Sequence, residues 1–133
     1  MILVDTCVLL DVVTRTPEWA AWSERRLAAW STRGPLLINP IVFAEFCAAY
    51  DELAQVERAV GAMGLELLSI PNEALFLASQ AHRLYRRRGG SKASVLPDFI
   101  IGAHAAVLRA PILTRDPRRF TSYFADLEVV SPD

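Results

Sequence analysis

Short, fully apolar runs alternate along this chain with longer stretches in which apolar positions recur at helical spacing. Ile2-Leu3-Val4 is the first apolar run and reads as a strand ended by Asp5, with residues 7–10 continuing the run beyond it. Thr14-Arg15-Thr16-Pro17 offers a helix start, Thr16 as cap and Pro17 in the first turn. The helix that follows sets Trp19, Trp22, Leu27 and Trp30 on one stripe and stops at Gly34-Pro35. Leu36-Leu37-Ile38 reads as a second strand, and Asn39-Pro40 opens a helix over 41–50 whose one charge is Glu45. Asp51 reads as the cap of a helix over 52–63, closed by Gly64 as a left-handed C-terminal residue. A third strand over 65–70 leads through Pro71-Asn72 into a helix over 73–88, with Leu75, Ala78, Ala81, Leu84 and Tyr85 as its core stripe. Residues 89–94 are the stretch richest in flexible positions. Pro97 then opens an apolar helix, Pro111-Ile112-Leu113-Thr114 is a buried strand, and a helical turn at 117–120 precedes a last strand at 127–130.

Strands alternating with helices, without hairpin turn signals, require crossover connections and so a parallel sheet. The strands are apolar throughout, as when helices cover both faces. The expected fold class is therefore α/β, a three-layer α/β/α sandwich with a short parallel central sheet. No repeat or interior linker divides the 133 residues, and 1–133 reads as one domain.

Composition narrows the function without naming it. A hydrophobic content of 53% excludes a disordered chain. A net charge of −1 means that nucleic-acid binding would have to come from local basic patches. Cys7 and Cys47, one in a strand-like and one in a helix-like run, read as buried free thiols rather than as a disulfide or metal ligands. The apolar start stops at Asp5 with no basic leader before it, so it does not read as a signal peptide. No segment approaches the ~20 apolar residues of a membrane span, and a cytoplasmic protein without membrane partners is expected.

Acidic residues change the picture most. Of fifteen Asp and Glu, four stand in apolar surroundings: Asp5, Glu45, Asp98 and Asp116, with Asp11 and Glu66 close to that group. Asp5 and Asp116 follow strands, at the sheet edge where ligands collect in open α/β folds. Asp98 sits in the first turn of a helix, at the positive end of its dipole. If the four converge, repulsion and desolvation raise their pKa values unless a cation compensates. Hard oxygen donors without a Cys/His set suit Mg²⁺ or Mn²⁺ rather than Zn²⁺. Such ions polarise phosphoryl oxygens, activate water and stabilise leaving oxygens, so the residues point to metal-dependent phosphate-ester chemistry.

The motifs that carry this chemistry are Val4-Asp5-Thr6 with Val8-Leu9-Leu10-Asp11, Ala44-Glu45-Phe46, Asp98-Phe99-Ile100-Ile101-Gly102-Ala103-His104-Ala105, and Leu113-Thr114-Arg115-Asp116 with Phe120. In this order they resemble the PIN-domain family, and within it the VapC-type ribonuclease toxins of toxin–antitoxin pairs, across essentially the whole chain. The resemblance implies a parallel α/β/α sandwich and an acidic site of Asp5, Glu45, Asp98 and Asp116 around Mg²⁺ or Mn²⁺. Thr6 and Thr114 match the hydroxyl positions beside the acids, which orient carboxylates or waters. It further implies hydrolysis of RNA by a metal-activated water, leaving a 5′-phosphate and a 3′-hydroxyl, together with an antitoxin partner and a homodimer. Two positions depart from the pattern. Cys7 stands where these toxins often carry Asn, and Arg119 stands where some carry another acid, which would weaken a second metal.

Arg15, Arg115, Arg118 and Arg119, with a mobile basic arm of Arg86, Arg87, Arg88 and Lys92, are candidates to guide the RNA backbone. The arm can equally neutralise a helix C-terminus. His82 and His104 read as structural histidines, and the Trp19/Trp22/Trp30 stripe reads as core, with an antitoxin contact as the other use. A phosphatase using Asp5 as nucleophile is disfavoured, because Asp5-Thr6-Cys7 lacks the Asp-x-Asp of haloacid-dehalogenase-like enzymes and no acidic pair or late Lys marks a receiver domain. The remaining alternative is a non-catalytic PIN-like module that holds RNA or a partner, which an intact set of four acids opposes.

Overall fold

A computed structural model of the chain describes residues 1–92 and 95–132. β1 (Ile2–Val4) is wholly buried and forms the middle of a five-stranded sheet in the order β3-β2-β1-β4-β5. Every pairing is parallel, with Leu3 opposite Leu37 of β2 (Leu36–Ile38) and opposite Ile112 of β4 (Ile112–Leu113). β3 (Leu65–Leu67) and β5 (Val129–Val130) are the edges. The fold is thus the expected α/β class with a short parallel sheet.

Seven helices make the crossovers: α1 (Thr6–Val13), α2 (Ala20–Ser31), α3 (Pro40–Cys47), α4 (Leu53–Ala62), α5 (Asn72–Arg87), α6 (Leu96–Leu108) and α7 (Arg118–Tyr123). Right-handed crossovers place α1 to α4 on one face of the sheet and α5 to α7 on the other. The chain leaves β1 towards β2 but leaves β4 towards β5. A crevice therefore opens between the carboxyl ends of β1 and β4, the position where such sheets bind ligands.

Several elements differ from the sequence expectation. The run at 7–10 is no strand: Asp5 is extended (φ −72°, ψ 150°), its side chain caps the Thr6 N–H, and α1 starts at once. α2 begins at Ala20 rather than at Pro17, although the Thr16 carbonyl accepts from the Trp19 and Ala20 N–H groups. Glu52, not Asp51, is the N-cap residue of α4, where Gln55 Oε1 accepts from the Asp51 and Glu52 N–H groups, while Gly64 is left-handed as expected (φ 67°). β3 stops at Leu67 and β5 spans only Val129–Val130.

On α5 the inward line is Ala74, Ala78 and Ala81, and Leu75 and Leu84 are exposed beside Phe76 and Leu77. Small side chains let α5 lie close on α6, so the larger leucines are displaced outward. The basic arm, Arg86, Arg87, Arg88 and Lys92, is exposed, with one side-chain contact and one backbone contact to the folded surface. Arg88 lies over the Tyr123 ring at 5.4 Å and the Lys92 N–H donates to the Tyr85 hydroxyl at 3.4 Å. Of the flexible stretch at 89–94, Ala93 and Ser94 lie outside the described residues.

Trp22 and Trp30 pack against the core with Leu27, and Arg33 covers the Trp30 ring at 4.0 Å. Both cysteines are free and half-buried, Cys7 in α1 and Cys47 at the end of α3. Among the described residues, no helix is long and apolar enough to cross a membrane.

Candidate active site

The crevice predicted by the strand order is a cleft of about 280 Å³ lined by Asp5, Thr6, Cys7, Leu10, Glu45, Asp98, Arg115, Asp116, Arg119 and Phe120. All four acids singled out in the sequence meet there. Asp5 enters from the end of β1, Glu45 from α3, Asp98 from the first turn of α6 and Asp116 from the loop after β4. A larger cavity of about 660 Å³ lies at the amino end of β4, around Arg109, Pro111 and Tyr123, and gathers none of the four.

Two threonines tie these acids to the scaffold. The Thr114 hydroxyl donates to Asp5 Oδ2 at 2.8 Å and accepts from the Asp116 N–H at 3.1 Å, so one side chain spans the β1 and β4 ends. The Thr6 hydroxyl donates to Glu45 Oε1 at 2.6 Å while its N–H donates to Asp5 Oδ1 at 2.8 Å. Cys7 Sγ stands 3.5 Å from Asp5 Oδ2, a weak donor at the position where Asn is common in the resembled toxins. Burial, and next the Asp5 charge, push this thiol up to about 12, so it stays protonated.

Burial first, and like charge after it, disfavour ionisation of the cleft acids. Burial and the Asp98 charge push Asp5 up to about 6, against the pull of the Thr114, Thr6 and Cys7 hydrogen bonds. Burial also raises Asp98, and Glu45 and Asp116 add to the rise while Arg119 opposes it. The lining carries four acids against two arginines, one of which, Arg115, is already paired with Asp11, so negative charge is in excess. A phosphodiester could not enter such a site without a cation. The donors are all carboxylate oxygens, which suits Mg²⁺ or Mn²⁺. Among the described residues no three His, Cys, Asp or Glu side chains are gathered closely enough to hold a metal ion as they stand. An open arrangement fits an ion that binds through one or two carboxylates and keeps positions for water and phosphate.

The basic candidates divide. Arg115 and Arg119 line the cleft, Arg118 pairs with Asp116 at the rim at 3.3 Å, and Arg15, Arg86 and Arg87 are exposed outside it. Arg119 Nη1 donates to Asp98 Oδ2 at 3.1 Å. Arg115 is held by a residue that the sequence reading set aside: its Nε donates at 2.8 Å to Asp11 Oδ2, which also accepts from Ser23 Oγ at 2.9 Å. Asp11 is only 1% exposed, and a lone acid in an apolar run was the same signal that singled out Glu45. His104 is buried and its Nδ1 takes the Asn39 Nδ2–H at 3.1 Å, while burial lowers its pKa. It is a neutral structural residue, away from the cleft lining.

The sequence matches the family profile described as PIN domain over residues 2–124. The chain belongs to the PIN-domain family. A search of curated proteins returns no significant match. Solved PIN-like folds align over nearly all of both chains. VapBC2 from Rickettsia felis bound to a DNA fragment from its promoter is 17% identical, covering 100% of each chain, with a TM-score of 0.75. A toxin–antitoxin complex from Klebsiella pneumoniae is 24% identical over 100% of this chain and 98% of the other, with a TM-score of 0.69. VapBC-1 from nontypeable Haemophilus influenzae is 17% identical over 98% of each, with a TM-score of 0.73.

Proposed function

We propose that this PIN domain is a metal-dependent endoribonuclease and the toxin of a toxin–antitoxin pair. The observation that carries the reading is the meeting of Asp5, Glu45, Asp98 and Asp116 in one cleft at the β1/β4 crevice. PIN domains are generally nucleases, and the fold neighbours described as VapBC or toxin–antitoxin complexes favour the toxin role.

The four carboxylates would hold Mg²⁺ or Mn²⁺, which when bound lowers the pKa of water and neutralises phosphate charge. Thr114 and Thr6 keep Asp5 and Glu45 in fixed rotamers, so that the acids need not reorganise when substrate arrives. Arg115, fixed by Asp11, and Arg119 would steer the RNA backbone into an otherwise acidic cleft. Hydrolysis joins a water oxygen to phosphorus and breaks the bond from phosphorus to the 3′ oxygen, which takes up a proton. The products are a 5′-phosphate and a 3′-hydroxyl. An antitoxin and a second copy of the chain complete the expected partners, and the exposed Leu75, Phe76, Leu77 and Leu84 on α5 supply apolar surface for such contacts.

Total cellular RNA incubated with wild type, Asp5→Asn and Asp98→Asn, in Mn²⁺, Mg²⁺ or chelator, tests this. Discrete metal-dependent cuts should fall in both variants by more than the ~10–100-fold typical of residues that only orient a ligand. RNA left intact by folded wild type under every condition would favour the non-catalytic module.

A further inference from the structure

Arg118 and Arg119 are neighbours in sequence with opposite fates. The Arg118 side chain is 88% exposed at the rim, whereas that of Arg119 is 27% exposed and points into the acidic cleft. Arg119 reaches Asp98 Oδ2 at 3.1 Å with Nη1, and its guanidinium carbon lies 6.0 Å from the Tyr85 ring centre. Its Nε is buried and has no partner among the described residues, while the partly exposed guanidinium end lines the cleft. Arg115, the other arginine of the cleft, is already neutralised by buried Asp11. Arg119 is thus the arginine of the cleft whose charge is set directly against one of the four acids, Asp98.

Sites that hydrolyse phosphodiesters often clamp the phosphate between two cations, one near the attacking and one near the leaving oxygen. A guanidinium can serve as one of them, since its planar fork matches two phosphate oxygens and its charge is permanent. We propose that Arg119 fills the place of a second metal, so that the site takes a single divalent ion per chain. The guanidinium would then hold a non-bridging phosphate oxygen and the charge developing on the 3′ oxygen. It keeps its own protons throughout, acting by charge and hydrogen bonding alone. The inference rests on the nuclease reading above and adds the number of metals and the identity of the second cation.

Calorimetric titration of the chelator-stripped full chain with MnCl₂ tests it without any turnover. Wild type and Arg119→Lys should bind one Mn²⁺ per chain, and Arg119→Asp should bind two. Two ions on wild type overturn the proposal whatever the variants do, as does a folded Arg119→Asp that still takes one. If no protein binds Mn²⁺, the metal-dependent reading fails first and this inference with it. RNA cleavage at saturating Mn²⁺ should fall in Arg119→Ala and recover in part in Arg119→Lys, which retains the charge without the fork.

Discussion

Asp5 sets its own ionisation against the fold. Its carboxyl is held at about 6, above the ordinary 3.8, chiefly by burial and further by the charge of Asp98. A native state that binds this proton more tightly than the unfolded chain is fully favoured below the unfolded pKa. It loses that stability as pH rises through the folded pKa. In chelator, Asp5→Asn should therefore melt several degrees above wild type at about pH 7.5, and the gap should close towards about pH 4. Mn²⁺ should raise the wild-type melting temperature and leave that of the variant nearly unchanged. A variant that melts lower than wild type at the higher pH would show that the Asp5 charge is not a burden. The sequence exposed Asp5, Glu45 and Asp98 because each interrupts an apolar run. It could not expose the Asp98–Arg119 or Asp11–Arg115 pairs, whose partners lie 21 and 104 positions apart.

At the scale of elements, α7 is the piece that sets the cleft's far wall, because it carries Arg119 and Phe120. It docks on α6 over Gly102, where a Cβ would come within 2.6 Å of Phe124 and 2.8 Å of Phe120. These are ring atoms of buried residues with little room to give, so Gly102→Ala should push α7 outward. Overpacking of this kind costs about 1–3 kcal/mol, and denaturant unfolding should show it. RNA cleavage should weaken as well, because Arg119 moves with the helix. Unchanged stability would mean that α7 is adaptable and does not fix Arg119. The missed α1 has a simple cause: a helix buried on most sides carries no polar stripe, so residues 7–10 look like a continued strand. The capping role of Asp5 was the local signal for it.

For the whole molecule, a net charge of −1 means that the proposed RNA capture would fall to a few placed arginines. Each phosphate contact to single-stranded RNA contributes about −0.7 to the slope of log affinity against log salt. Replacing Arg86 and Arg87 by Ala should therefore make the slope shallower by roughly 1.4 if both touch phosphate. If they only neutralise the α5 dipole, the slope should stay and the melting temperature should fall. Arg88, stacked on Tyr123, is already part of the folded surface rather than of a mobile arm.

The sequence by itself determined the sheet strands, the parallel α/β class and the four acids, since apolar runs and their interruptions are local and short-ranged. Only the tertiary structure decided which basic residues face those acids, which leucines of α5 stay outside, and that Asp11 serves Arg115. Those outcomes depend on the strand order β3-β2-β1-β4-β5 and on helix-to-helix distances. A one-dimensional pattern does not encode them, because side chains far apart in sequence meet only after the crossovers are packed.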